Sequence, residues 1–306
     1  KKRAALHNLG CKVNAYETEA MRQLLEESGY EIVPFEPGAD VYVINTCTVT
    51  NIADRKSRQM LHKARKMNPD AIVVAAGCYV ETADGGVEKD PAIDIILGNN
   101  QKNQLVSVIR DFEQKRAGKR AEEPSGAMTK KIDINHTKEY ENLIIDRTEN
   151  RTRADIKEQD GCNQFCTYCI IPFARGRVRS RDTRDVLQEV RALAASGCRE
   201  IVLTGIHLSS YGVDLGEGMD LTALIETVHE VDGISRIRLG SLEPGIVTEK
   251  FAYTLAELPK VCPHFHLSLQ SGCDTVLKRM NRRYTSGEFR EKCELLREAF
   301  TLPALT

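Results

Sequence analysis

The chain has 306 residues, 41 % of them apolar and 28 % charged, with a formal net charge of -1. That length exceeds one ordinary core and favours two domains, while the near-zero charge excludes a protein that coats nucleic acid over its whole surface and leaves local basic patches open. No run approaches the roughly 18 apolar residues of a membrane helix, and Lys1-Lys2-Arg3 leads into a strand-like run instead of a signal-peptide core. A cytoplasmic protein without a membrane partner is expected, in which ten cysteines point to metal ligation or redox chemistry.

From the start, short apolar runs alternate with amphipathic stretches: AALHNL, NAYETEAMRQLLEES, YEIVPF, VYVINT, DRKSRQMLHKARKM, AIVVAA, IDIILG and QLVSVIRDF. This is the βαβ rhythm of a parallel sheet, with strands apolar nearly throughout because both faces are covered, and with Gly29 and Pro69 where helices should stop. Residues 1–112 are predicted to form this first domain. Residues 113–149 lose periodicity and gain charge, which predicts a connector carrying one edge strand. A second alternation then fills 150–306, with strands at RADIKEQ, REIVLTG, SRIRLGS and HFHLSLQSG and helices at DTRDVLQEVRALAAS, LTALIETVHEV and TEKFAYTLAEL. These βα units predict a full or partial barrel, and LREAFTLPALT stops where another strand would start, so the barrel reads as truncated.

GCNQFCTYC places Cys162, Cys166 and Cys169 in a CxxxCxxC loop directly after a predicted strand. Three thiolates leave one iron of a four-iron cube open to a chelating cofactor, whereas structural zinc usually takes two CxxC pairs or a Cys/His complement. Cys11, Cys47 and Cys78 lie far apart in sequence, yet each directly follows an apolar strand, in AALHNLGC, VYVINTC and IVVAAGC. If those strands are parallel, the three thiols emerge at one sheet edge, where doubly wound folds place their ligand sites. The bland alternative is that each is a small buried hydrophobe.

Phe165 and Tyr168 inside the loop, the following IIPFARGRVRSR, and LGCKVN, NTCTVT and Gly77-Cys78 upstream resemble the methylthiotransferase branch of the radical S-adenosylmethionine superfamily. The resemblance spans nearly the whole chain. It implies an α/β architecture: a Rossmann-like amino-terminal methylthiotransferase domain with an auxiliary [4Fe-4S] cluster on Cys11, Cys47 and Cys78, followed by a partial (β/α) radical barrel. The barrel's own [4Fe-4S] cluster would sit on Cys162, Cys166 and Cys169. By the same analogy Thr204, Gly205, Ser241, Glu243, Ser268 and Gln270, at the ends of later strands, line the pocket for S-adenosylmethionine, although polar residues there also simply cap and turn chains.

Within the family, LGCKVN and NTCTVT suggest the subgroup acting on N6-threonylcarbamoyladenosine at position 37 of tRNA, next to the anticodon. The implied chemistry is reductive cleavage of S-adenosylmethionine at the barrel cluster, hydrogen abstraction, and methylthio transfer to carbon 2 from the auxiliary cluster. Electrons would come from a donor such as flavodoxin or ferredoxin. A small β-rich, TRAM-type RNA-binding domain usually ends family members and has no counterpart in this sequence. The rivals are methylthiolation of a ribosomal-protein aspartate, a non-enzymatic iron–sulfur electron carrier and a zinc-stabilised RNA-binding module.

Three basic groups are candidates for RNA: Arg175, Arg177, Arg179, Arg181 and Arg184; Arg55, Lys56, Arg58, Lys63, Arg65 and Lys66; and Lys278, Arg279, Arg282 and Arg283. A solvated face is the commoner meaning of such runs. The first group also suits the cofactor's carboxylate. Cys198, Cys262, Cys273 and Cys293 share no spacing and read as structural; His207 is open between the two roles.

Overall fold

The computed structural model describes residues 1–83, 85–118, 126–148, 152–216 and 218–306. It divides into two compact units, Lys1–Leu143 with Phe173–Gly176, and Ile144–Pro172 with Arg177–Thr306.

The first unit runs β1 (Arg3–Asn8), α1 (Lys12–Glu27), β2 (Glu31–Ile32), β3 (Val41–Thr46), α2 (Asn51–Met67), β4 (Ile72–Gly77), α3 (Cys78–Thr82), β5 (Ile95–Leu97), α4 (Leu105–Gly118) and β6 (Met128–Lys130). The strands form one parallel sheet in the order β2-β1-β3-β4-β5-β6. Every residue of β3 and β4 is buried because helices cover both faces. On one face Met21 and Leu25 of α1 and Leu105, Val108 and Ile109 of α4 pack on Val41, Val43, Val74 and Ile95. On the other, Leu61 and Ala64 of α2 and Val80 of α3 pack on Tyr42, Ile44, Val73 and Ile96. This order is the flavodoxin-like variant of the doubly wound fold, whose switch point lies between β1 and β3.

The stretch expected to be a connector is partly built. Good helix formers in EQKR carry α4 past residue 112 to Gly118, β6 is the edge strand, and residues through Leu143 group with the first unit. Tyr16 of α1, for example, donates its hydroxyl to the Leu143 carbonyl at 2.5 Å.

The second unit contains β7 (Arg153–Asp160), α5 (Ile171–Ala174), whose last two residues group with the first unit, β8 (Arg179–Ser180), α6 (Thr183–Ala195), β9 (Glu200–Gly205), α7 (Leu221–His229), β10 (Arg236–Leu239), α8 (Glu249–Ala256), β11 (His264–Phe265), α9 (Asp274–Arg279), α10 (Ser286–Ala299) and β12 (Ala304–Leu305). Helix starts follow their capping chemistry: Asp182, Asp220, Thr248 and Thr285 each accept a backbone N–H of the first turn, and Thr285 with Glu288 closes a full capping box. β10, β9 and β7 are parallel neighbours, β8 returns antiparallel, and parallel bridges Ile237–Val261 and Leu242–Leu267 continue the succession to β11 and β12. This is a partial (β/α) barrel. The strand expected over HFHLSLQSG narrows to two residues, beyond which single backbone bonds such as Ser268 N to Leu242 O hold the line. No helix among the described residues is long and apolar enough to cross a membrane.

Candidate functional site

In the first unit, sheet register sets the cysteines. Asn8 pairs with Asn45, and Asn45 with Ala76, so Cys11, Cys47 and Cys78 follow one row of the sheet by two or three residues. They emerge at the carboxyl edge of β1, β3 and β4, with the first two flanking the switch point. Cys11 is exposed, whereas Cys47 and Cys78 are buried. Two glycines make the approach close. A side chain on Gly10 (φ +109°) would come within 3.0 Å of Cys47 Sγ, and one on Gly77 (φ +94°, ψ −158°) would meet Asn45 Oδ1 at 2.5 Å and Thr46 O at 2.6 Å. Gly77 lies in backbone space open essentially to glycine alone, and this is what turns the chain into Cys78.

Behind Cys78 lies a buried polar network. Arg175 Nε donates to Cys78 Sγ at 3.3 Å, its Nη1 to Glu17 Oε1 at 2.7 Å and its Nη2 to Asn14 Oδ1 at 2.5 Å. Lys102 Nζ donates to Asn99 Oδ1 at 2.6 Å and lies 3.1 Å from Glu17 Oε2. Asn14 is fixed by donating to the carbonyls of Leu9 and Thr46, and Asn99 by donating to that of Ala174 and, at 3.8 Å, to Cys78 Sγ. Burial pushes the Cys78 thiol up, and Arg175 and Lys102 pull against it. Burial likewise raises Glu81, which accepts Asn99 N at 2.5 Å and feels both cations. Two buried cations sharing one carboxylate beside a thiol fit an anionic, thiolate-held group better than a neutral one.

In the second unit, GCNQFCTYC is a loop strapped from both ends. Gln159 Nε2 donates to the carbonyls of Asp160 and Gly161 at 2.7 Å each, and its Oε1 accepts His207 N at 2.7 Å. Asn281 Nδ2 donates to the carbonyls of Gln164 and Phe165, and Thr167 N to that of Met280. Cys162 and Cys166 are buried and Cys169 is partly exposed. Burial pushes the Cys162 thiol up to about 11 and raises Cys166 as well. Among the described residues, no three histidine, cysteine or carboxylate side chains converge closely enough to grip a single metal ion. The donors at both places are three thiols, which fits a thiolate-held cluster with one open iron.

The expected cofactor residues lie at the ends of consecutive strands. Thr204 is buried with its N–H donated to Glu158 Oε2 at 2.7 Å, and a Cβ on Gly205 would lie 3.0 Å from Gln159. Ser241 is exposed, Ser268 O accepts the Tyr284 hydroxyl at 2.5 Å, and Gln270 has φ +65°. Glu243 is the hub. It accepts from Gln164 Nε2 at 3.1 Å, lies 3.1 Å from His207 Nε2 and takes Arg282 Nη1 at 3.4 Å. Burial alone would raise its carboxyl, but His207 and Arg282 outweigh burial and hold it below the usual range. Arg282 also donates to the Tyr168 hydroxyl at 2.8 Å.

The basic groups need correction. Arg175, Arg179 and Arg181 are fully buried: Arg175 holds Glu17, Arg181 pairs with Glu189, and Arg179 lies 3.8 Å from Asp160, which is bound by Lys157 at 2.6 Å. They are interior counter-charges and are not available to RNA. Arg177 is exposed and stacks on Phe165 with its guanidinium 4.4 Å from the ring centre, and Arg184 reaches outward but pairs with Asp182 at 2.9 Å. Arg65 turns inward to Asp94 and to the carbonyls of Pro69, Ala71 and Ala92. Cys198 is buried against backbone carbonyls, Cys293 is buried, and Cys273 is an exposed residue at the start of α9.

Sequence reasoning did not find Asn14, Glu17, Asn99 or Lys102, which read as polar faces of helices and loops, nor Glu158, Gln159 and Gln164. His207 was legible as a strand-end residue but acquires a role only through its contact with Glu243.

The chain matches an uncharacterized protein family, UPF0004, over residues 3–98 and the radical SAM superfamily over residues 156–302. It is 42 % identical over 301 residues to the threonylcarbamoyladenosine tRNA methylthiotransferase MtaB of Bacillus subtilis, covering 98 % of this chain and 64 % of that protein. Identity to the Aquifex aeolicus protein of the same name is 39 % over 292 residues, covering 94 % of this chain and 68 % of that one. The fold is similar to that of the radical S-adenosylmethionine methyltransferase TsrM from Kitasatospora setae, with a TM-score of 0.66 at 16 % identity over 98 % of this chain and 66 % of that one. This chain thus spans about two thirds of the length of these curated relatives. The match over residues 156–302 places the chain in the radical S-adenosylmethionine superfamily. Within that superfamily, the chain belongs to the methylthiotransferase family.

Proposed function

We propose that this enzyme adds a methylthio group to carbon 2 of N6-threonylcarbamoyladenosine at position 37 of tRNA. In this reading Cys162, Cys166 and Cys169 hold the [4Fe-4S] cluster that binds S-adenosylmethionine, and Cys11, Cys47 and Cys78 hold an auxiliary [4Fe-4S] cluster. When bound, these groups supply the electron, the radical and the sulfur that the reaction needs. The chain's own residues position them. Gln159 and Asn281 fix the three-cysteine loop, Arg175 and Asn99 point N–H groups at Cys78, and Gly10 and Gly77 let the thiols approach. Thr204, Gly205, Ser241, Glu243, Ser268 and Gln270 line the cofactor's seat, with Glu243 kept ionised by His207 and Arg282. A low-potential carrier such as flavodoxin or ferredoxin supplies electrons, and a tRNA substrate places the enzyme in the cytoplasm.

The observation that carries the reading is that each of the two main sheets leads into its own set of three cysteines, Cys11, Cys47 and Cys78 after β1, β3 and β4, and Cys162, Cys166 and Cys169 in the loop after β7. A simple electron carrier has no use for the second set joined to a cofactor-binding barrel, and the relatives matched over most of this chain are named for the tRNA reaction. Anaerobic reconstitution followed by incubation with dithionite, S-adenosylmethionine and tRNA tests it. Iron for two clusters, formation of 5'-deoxyadenosine and a methylthio mass gain on threonylcarbamoyladenosine are expected. Cys162→Ala should abolish 5'-deoxyadenosine, while Cys47→Ala should lose about half the iron and the mass gain but keep cofactor cleavage. Zinc without iron, or a mass gain only on a ribosomal-protein aspartate, would sink the proposal.

A further inference from the structure

The six cations of DRKSRQMLHKARKM separate into two kinds in the structure. Arg65 is committed inward, and Arg58 lies over the Tyr79 ring at 5.8 Å. Arg55, Lys56, Lys63 and Lys66 are exposed and make no salt bridge or hydrogen bond among the described residues. At 3.6 residues per turn these four project within an arc of about 100°, and Ile52, 60 % exposed, falls in the same arc. The acid of this helix, Asp54, faces away from it, roughly 150° from the centre of the arc. From Ile52 to Lys66 the stripe is about 21 Å long. Its amino-terminal end, Ile52, lies five residues after Cys47 and three after Val49, another large apolar side chain left 56 % exposed.

We infer that this stripe of α2 is a track for the phosphate backbone of an RNA strand, which leads the strand to the edge where Cys11, Cys47 and Cys78 emerge. The inference rests on the tRNA reading above. A single-sign row of flexible cations, unneutralised by the protein, matches a regularly charged polyanion. The apolar pair Val49 and Ile52 sits at the end where the strand must turn a base toward the cysteines, and aliphatic surface suits a base plane stripped of water. An acidic peptide would use one or two cations and leave the rest of the row without purpose. Binding along the track is predicted to be insensitive to sequence, since phosphate contacts position and do not read bases.

The test compares the native chain, the variant Arg55→Gln/Lys56→Gln/Lys63→Gln/Lys66→Gln, a milder Lys63→Gln/Lys66→Gln variant at the far end, and a control Lys250→Gln/Arg290→Gln on α8 and α10. Fluorescence anisotropy with an anticodon stem-loop RNA and with a stem-loop of unrelated sequence is read from low to physiological salt, with circular dichroism to verify folding. Four lost phosphate contacts should flatten the slope of log affinity against log salt by about 3. The quadruple variant should bind both RNAs roughly tenfold or more weakly at physiological salt, the double variant should fall between, and the control should match the native chain. Cofactor cleavage without RNA should be unchanged in all four. If the native chain binds RNA and the quadruple variant keeps its affinity and slope, the track is wrong while the tRNA reading stands. If the native chain binds neither RNA and modifies no tRNA, both fall.

Discussion

Glu17 is shared by Arg175 and Lys102, all three with side chains at most 1 % exposed. Glu17→Gln keeps the shape but leaves both cations without the carboxylate they share. Removing one partner of a buried pair costs about 3–5 kcal/mol because the other charge stays stranded. Arg175→Met is a different perturbation: Glu17 retains Lys102 at 3.1 Å, so the remaining charges still balance and the loss is chiefly of hydrogen bonds, about 1–3 kcal/mol. In the apoprotein, urea unfolding followed by circular dichroism should therefore rank Glu17→Gln as the more damaging. After anaerobic reconstitution the gap should narrow, because thiolate ligands at Cys78 supply negative charge to the stranded guanidinium at 3.3 Å. A Glu17→Gln apoprotein as stable as Arg175→Met, or a gap that widens on reconstitution, would refute the idea that these cations face an anionic group.

Two further outcomes follow from single residues. Gly77→Ala should cost about 1–3 kcal/mol from backbone strain alone, with more from contact with Asn45 and Thr46, and should deplete iron bound by the first unit; unchanged iron in a folded variant would show that the turn into Cys78 is dispensable. Burial holds the Glu158 carboxyl well above its ordinary range, against the opposing N–H of Thr204. Above the unfolded carboxylate pKa of about 4.3 the native state keeps a proton that the unfolded chain has lost, so stability drains away as pH rises. Glu158→Gln should remove that slope, giving equal stability in acid and a growing advantage toward neutral pH; urea midpoints across pH that stay parallel would contradict it.

Local pattern determined much of this protein. Strand-length apolar runs alternating with amphipathic segments specify βα units, because each period exposes one set of faces to burial. Cys162, Cys166 and Cys169 share one loop, so their chemistry is written in adjacent positions, and Cys11, Cys47 and Cys78 each carry the same local mark of a strand just ended. What the sequence left undecided depends on long-range packing. Neighbouring arginines at 175, 177, 179, 181 and 184 look alike in a string, yet three are interior counter-charges and one stacks on Phe165, because only the fold brings Glu17, Asp160 and Glu189 to them. Glu243 likewise meets Gln164, His207 and Arg282 from three other segments. Strand order, too, is set by which helix covers which face, and it was this choice that put Cys11 and Cys47 on either side of the switch point.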